Sequence, residues 1–297
     1  MSEILPYLPF SRWLKERYGT PVRKISLDAG FGCPNKDGTI SRAGCLFCDL
    51  NESGPDPEIV AGRSVREQLN DQIEQFRRRH GATHKFLAYL QSGTNTHAPV
   101  ETLREVYGQA IAHPEVVSLS VSTRPDCAPE PVLDVLHEVA GHLDVWVEFG
   151  VQSAHDHTLS AVNRGHDFAA VQDAVARCRR RDFLVCAHLI VGLPGETAAD
   201  MVETVRRVAG LRVAAVKFHP LCITRGSALE RQWSERPFPL LTEDAYVEAV
   251  VAMLRELPSG TVVQRISGSG RPEVHIAPDW TRNINRTKNL IAARFEK

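Results

Sequence analysis

Three of the chain's seven cysteines fall within the stretch GCPNKDGTISRAGCLFCD, residues 32–49, with the spacing Cys33-x11-Cys45-x2-Cys48. Clustered thiolates are soft ligands that suit zinc or an iron–sulfur cluster. A structural zinc site is closed by four protein ligands, often as two short-spaced pairs. Here there is one short pair and no obvious fourth ligand nearby. Two readings follow from the spacing. One is a zinc site completed by a distant ligand. The other is an iron–sulfur cluster held by three cysteines, with one iron left open to a substrate or cofactor.

The elements that must position these cysteines can be read from the pattern around them. β-rich runs occur at 22–27, 85–90, 116–121, 145–151, 183–191 and 213–218, with a seventh at 261–266. Most are near-continuous apolar runs, as expected of parallel strands buried on both faces. Amphipathic helices lie between them. Ser64 and Glu67 form a capping-box pair ahead of the stripe Val65, Leu69, Ile73 and Phe76. Asp167, Thr197 with Asp200, and Thr242 head three further helices. This βα alternation predicts either a doubly wound sheet or a full or partial β/α barrel. Residues 1–20 read as an N-terminal extension, 21–266 as the β/α core and 267–297 as a C-terminal extension.

The unusual polar segments each follow one of the six runs: CPNKDGTISRAGCLFC, QSGTNTHAP, STRPDC, EFGVQS, GLPGE and HPLCITRGS. Ligands of β/α barrels and open α/β sheets bind at the carboxyl ends of the strands. All six segments therefore converge on one mouth, which points to an enzyme before any family is considered. GLPGE lacks the Lys-Ser/Thr ending of a phosphate loop, and no helix pattern follows GSGR (268–271) to make it a dinucleotide fingerprint. HDH (155–157) reads as a helix start rather than a metal site.

Composition sets outer bounds. The chain has 297 residues, 43% hydrophobic and 24% charged, with a formal net charge of −1. Such a balance gives no global electrostatic argument for nucleic acid or acidic membranes. No secretory signal and no apolar run long enough to cross a bilayer is seen, so the expectation is a cytoplasmic protein with no membrane partner. In a reducing compartment, clustered cysteines point to metal or catalysis rather than disulfides.

Taken in order, YGTPVRKISLDAGFGCPNKDGTISRAGCLFCD, STRPDC, EFGVQSAHDHTLSAVNRGHDF, HLIVGLPGE and KFHPLCITRGS resemble the radical S-adenosylmethionine (SAM) superfamily. More narrowly they resemble its YhcC-like branch, which is related to the Elongator catalytic subunit-like group. The resemblance runs from about residue 10 to residue 280. The superfamily's commonest cysteine spacing is shorter; the longer first gap is a departure that this branch shares. The resemblance implies an α/β fold, a radical SAM partial (β/α)6 TIM-type barrel. It implies a [4Fe-4S] cluster on Cys33, Cys45 and Cys48, with SAM bound at the open iron. Reductive cleavage of SAM would give a 5′-deoxyadenosyl radical that abstracts hydrogen from a substrate. An electron donor such as flavodoxin or ferredoxin is the implied partner.

The same resemblance suggests cofactor-binding roles for Phe47, Gln91, Thr94, Glu148, Gln152, Ile190, Val191 and Gly192. Ordinary loop packing is the alternative for Phe47, and a buried structural glutamate the alternative for Glu148. Arg124, Asp126, His219 and Arg225 are mouth residues for a substrate carboxylate, phosphate or base, or else rim salt bridges. Cys127 and Cys222 fall just beyond strand ends, as thiol hydrogen donors, covalent anchors or plain buried thiols. Cys178 and Cys186 read as core.

The Elongator-like relatives suggest a tRNA wobble-uridine substrate by analogy. The tail 281–297 adds Arg282, Arg286, Lys288, Arg294 and Lys297 against Glu296, and arginine triplets stand at 77–79 and 179–181. Helix-dipole interaction is the plainer reading of the triplets. The alternatives are a radical SAM enzyme acting on a small metabolite or protein side chain, and a zinc-stabilised β/α binding protein without radical chemistry.

Overall fold

The computed structural model describes residues 7–48, 55, 57–81 and 84–295. The remaining residues, Glu296 and Lys297 of the basic tail among them, lie outside the described residues. Among the described residues, ten strands follow in chain order: β1 Leu8–Pro9, β2 Val22–Leu27, β3 Lys85–Leu90, β4 Val116–Thr123, β5 Asp144–Gln152, β6 Leu184–Val191, β7 Ala215–Pro220, β8 Ile223–Thr224, β9 Val262–Arg265 and β10 His275–Ala277. Eight form one sheet in the order β1-β9-β7-β6-β5-β4-β3-β2, and β8 pairs with β10 apart from it. Every pairing in the large sheet is parallel. This is the partial β/α barrel, with β1 and β2 as its two edges.

The helical signals act as expected. Ser64 and Glu67 close a capping box on helix Val65–His80, and Thr197 with Asp200 does the same for Ala198–Gly210. Asp167 and Thr242 accept from Ala170 N and Ala245 N at the heads of Phe168–Arg179 and Glu243–Arg255. Caps of this kind contribute about 1 kcal/mol each. The strand faces that meet the helices carry Phe86, Ala88, Leu119, Val147, Phe149, Val185, Leu189, Val216 and Phe218 in one core cluster.

The other strand face builds the barrel interior in layers. At its floor, Leu87, Tyr89, Trp146, Cys186, Ala215 and Val262 cluster with Phe10 and Leu14. Phe10 and Leu14 come from helix Phe10–Tyr18, inside the segment expected as an extension. Phe10 and Trp13 meet Trp146 edge-on, with ring centroids 5.2 and 5.1 Å apart. The N-terminal segment thus closes the bottom of the barrel, and β1 pairs with β9 at its edge. The loops after the strands gather at the opposite end.

Candidate functional site

The cysteine loop is folded on a backbone scaffold of its own. Cys33 precedes the short helix Pro34–Asp37 and accepts from Lys36 N and Asp37 N at 2.8 and 3.0 Å. The turn at Cys45 closes with Cys48 N donating to Cys45 O at 3.1 Å. The rest is tied to residues 162–165, which follow helix Asp156–Ala161. Leu46 N donates to Val162 O at 3.0 Å, Asn35 Nδ2 to Asn163 O at 2.7 Å, and Asn163 Nδ2 to Gly44 O at 2.6 Å. His155 serves as the N-cap residue of Asp156–Ala161, so the HDH triplet is a helix start.

Asn35 Nδ2 at 3.4 Å and Arg164 Nη1 at 3.5 Å both donate to Cys45 Sγ. Arg164 is held in place by Gly150 O, which accepts from its Nε at 3.1 Å and Nη2 at 2.6 Å. A Cβ on Gly150 would stand 2.7 Å from Arg164 Nη2, so glycine is what lets the guanidinium lie against the strand. Gly93, at φ +61°, is tighter still: its Cβ would fall 2.1 Å from Phe31 O. Thr94 N donates to Gly32 O at 2.9 Å, joining the loop after β3 to the cysteine loop.

These segments surround a cavity of about 340 Å³. Cys33, Cys45 and Cys48 line it, together with Phe47, Thr94, Gln152, Ile190, Arg124, His219 and Cys222 from the sequence reading. Lys36, Ser122, Thr123, Arg164, His188 and the segment 268–270 line it too, and the sequence reading gave them no role. Arg164 lay in plain sight within the quoted VNRG stretch.

Seven expected residues do not line the cavity: Gln91, Glu148, Val191, Gly192, Asp126, Cys127 and Arg225. Val191 follows strand alternation and turns into the outer core while Ile190 faces inward. Gly192 lies against Leu241, and Arg225 is exposed. A 3-10 turn, Pro125–Cys127, follows β4; there Asp126 pairs with Arg124 at 2.8 Å, and the Cys127 thiol lies 3.8 Å from Asp126. Burial, then the Asp126 carboxylate, pushes that thiol up to about 12, which keeps it protonated and disfavours a thiolate nucleophile. Burial also raises Cys222.

Glu148 belongs to the layer below. It is fully buried and contacts the Lys217 ammonium, while Ser120 Oγ donates to its Oε1 at 2.6 Å. His188 Nε2 lies 2.7 Å from its Oε2 and links the pair to the cavity. Burial alone would raise Glu148; Lys217, Lys24 and the His188 hydrogen bond outweigh it and hold the carboxyl well below its ordinary value. Burial would likewise lower Lys217, and Glu148 reverses it. Burial, then the Lys217 charge, brings His188 down to about 4. Glu148, Cys186 and His188 also bring ligand atoms within 4.8 Å of one another. Both carboxylate oxygens are already engaged by Ser120, His188 and Lys217, so Glu148 serves the Lys217 ion pair.

The cavity fits a metal–sulfur group. Three sulfurs around one tetrahedral zinc would stand about 3.8 Å apart, from Zn–S bonds of about 2.3 Å. Cys33, Cys45 and Cys48 do not all come within 4.8 Å of one another. A single tetrahedral zinc therefore does not fit these three sulfurs as they stand. The N–H donors at Cys45 Sγ suit a thiolate. Arg124 Nη1 and Asn35 Oδ1 are buried with no partner among the described residues. Buried polar atoms left unpaired are costly, and a bound polar group would satisfy them.

Residues 30–208 match the profile described as "Radical SAM superfamily", and 213–297 match "Radical_SAM C-terminal domain". "Protein YhcC" of Escherichia coli is 42% identical over 271 residues, covering 91% of this chain and 86% of that one. The "tRNA uridine(34) acetyltransferase" of Methanocaldococcus infernus is 25% identical over 153 residues, 50% of this chain and 28% of that one. Among solved structures, Elp3 of the same archaeon with residues 1–46 deleted superposes with a TM-score of 0.67 at 16% identity. The match covers 90% of this chain and 62% of that chain, and supports the fold alone.

Proposed function

We propose, from the premise that the chain belongs to the radical SAM superfamily and its YhcC-like branch, that it is the enzyme of a hydrogen-abstraction step on a tRNA base. The chain is a radical SAM enzyme, and the family's cofactors are a [4Fe-4S] cluster and SAM. When bound, they supply a one-electron cleavage that yields methionine and a 5′-deoxyadenosyl radical.

The chain's own residues have the following roles in this reading. Cys33, Cys45 and Cys48 hold the cluster. Arg164 and Asn35 donate to the Cys45 thiolate and fix its orientation. Thr94, Gln152 and Ile190, with Phe47 from the cysteine turn, shape the wall where SAM lies. Arg124 offers its unpartnered N–H to the cofactor or substrate. His188, kept neutral, carries a hydrogen bond from the cavity wall to Glu148. An electron donor of the flavodoxin or ferredoxin type supplies the electron. The observation that carries the reading is the meeting of three cysteines, from one loop, with the carboxyl ends of β3 to β7 around a single cavity.

A tRNA uridine is the proposed substrate because of what a distant relative is named for, the modification of uridine 34 of tRNA. Surface charge adds little. Arg180 and Arg181 pair with Glu130, Arg286 with Glu243, and Arg294 with Glu248. The test is a comparison of modified nucleosides in tRNA from a deletion strain and its parent. Loss of one uridine derivative, restored by the intact gene but not by a Cys45→Ala copy, is the expected result. An unchanged profile would exclude tRNA and favour a small metabolite or protein side chain.

A further inference from the structure

A second cavity, of about 620 Å³, opens where the two edges of the sheet face each other. Pro9 of β1, Val22 and Lys24 of β2, and Val263, Gln264 and Arg265 of β9 line it, with Lys288 of helix Ile284–Phe295. It shares Gly268 and Ser269 with the cysteine cavity, and Arg265 Nη1 lies 3.3 Å from His219 Nδ1 on that cavity's wall.

The seam carries more positive charge than negative, with Glu148 the acid that acts on Lys24 and Lys217 alike. Arg265 is in register with Lys217 on the adjacent strand. Lys217 is matched by Glu148, whereas among the described residues no carboxylate pairs with Lys24, Arg265 or Lys288. Lys24 Nζ lies 4.2 Å and Lys217 Nζ 4.7 Å from the centroid of the Tyr89 ring. Burial, then the Lys217 charge, brings Lys24 down to about 7 against the opposing pull of the Glu148 carboxylate. The seam also holds polar atoms with nothing to bond. Ser267, 2% exposed, has an unpartnered buried Oγ, and both Gln264 amide atoms are buried without partners.

We propose that this open seam is a phosphate-binding subsite: Lys24, Arg265 and Lys288 balance the charge, Ser267 Oγ and Gln264 Nε2 donate further hydrogen bonds, and the phosphate belongs to the substrate whose reacting part faces the cysteines. The number of donors decides between anions. Three cationic side chains, a hydroxyl and an amide exceed what the two oxygens of a carboxylate accept, and they suit the additional oxygens and greater negative charge of a phosphate. The role assigned to the phosphate rests on the radical SAM reading of the neighbouring cavity. Phosphate binding itself does not.

The test is calorimetric titration of the full chain with inorganic phosphate, at low ionic strength, with acetate as the carboxylate comparison. One phosphate per chain, bound at least tenfold more tightly than acetate, is the expected result. Arg265→Met and Lys24→Met should each weaken phosphate at least tenfold, and Lys288→Met, on an exposed helix face, should weaken it several-fold without any effect on folding. Arg78→Met, on an exposed face of another helix, should bind as the wild type does. Uridine 5′-monophosphate and the dinucleotide UpU then separate a free nucleotide from an RNA strand, and tighter binding of either than of uridine supports the subsite. No phosphate binding, or binding unchanged in the three seam variants, would overturn it. SAM cleavage measured on the same preparations reports separately on the cysteine cavity.

Discussion

Arg164 Nη1 stands 3.5 Å from Cys45 Sγ while the rest of its guanidinium grips Gly150 O. One side chain thereby joins the cysteine loop to the end of β5. Hydrogen bonds to cluster sulfurs help set reduction potential. Arg164→Met should lower the potential of the reconstituted cluster and weaken the fold by about 1–3 kcal/mol, because Gly150 O loses both of its charged donors. An EPR-monitored redox titration and a urea melt are the two readouts. An unchanged potential would mean that the contact is structural only.

Cys33→Ala, Cys45→Ala and Cys48→Ala should each abolish the visible iron–sulfur absorption and drop bound iron and sulfide to background. Cys178→Ala should retain them, since Cys178 is buried among the helix-facing core residues. A full cluster in the Cys45→Ala protein would refute the ligand assignment.

The Glu148–Lys217 pair is expected to hold the barrel interior in one arrangement. Glu148→Gln should cost about 3–5 kcal/mol, because it leaves Lys217 charged and unpaired where both groups are fully buried. Glu148→Leu with Lys217→Met should recover much of this. The pH dependence has a defined sign. Glu148 is held well below its ordinary 4.5, so its contribution is fully present above that value and is lost as pH falls through the depressed folded value. Lys217 is raised above 10.5, so its contribution is present below that value and is lost only as pH rises through the folded value. Urea melts should therefore show the wild type losing stability as pH falls below 4.5 through the Glu148 titration, a loss that the double variant lacks.

Gly93→Ala should destabilise far more than Gly62→Ala. Both glycines have positive φ, +61° and +69°, which costs a non-glycine residue about 1–2 kcal/mol. Gly62 has open space around it, whereas a Cβ on Gly93 would strike Phe31 O at 2.1 Å. Thermal melts of the two variants, with cluster content after reconstitution, should show a small loss of stability with iron retained for Gly62→Ala, and a large loss of stability with loss of iron for Gly93→Ala.

How much of this was legible in the sequence depended on the range of each signal. The capping residues Ser64, Asp167, Thr197 and Thr242 act within three residues of themselves, and each caps as read. The strand runs were visible because burial on both faces demands continuous apolar residues. Lys217 was hidden inside such a run, since its partner Glu148 lies 69 residues away. Arg164 and Cys45 are separated by 119 residues, and no local pattern links them. Cys127 was placed correctly at a strand end, but the Pro125–Cys127 turn carries it off the cavity. The pairing of β8 with β10 involves segments of two and three residues, too short for any periodicity to mark. The stripe of Phe10, Trp13 and Leu14 does have helical spacing, and the two prolines ahead of it obscured that reading.

The most direct test of the central claim is anaerobic reconstitution with iron and sulfide, reduction, and addition of SAM. The expected result is a reducible, EPR-active cluster and release of 5′-deoxyadenosine with methionine, both lost in the Cys33→Ala, Cys45→Ala and Cys48→Ala proteins. A folded, iron-loaded and reduced protein that forms no 5′-deoxyadenosine would contradict it.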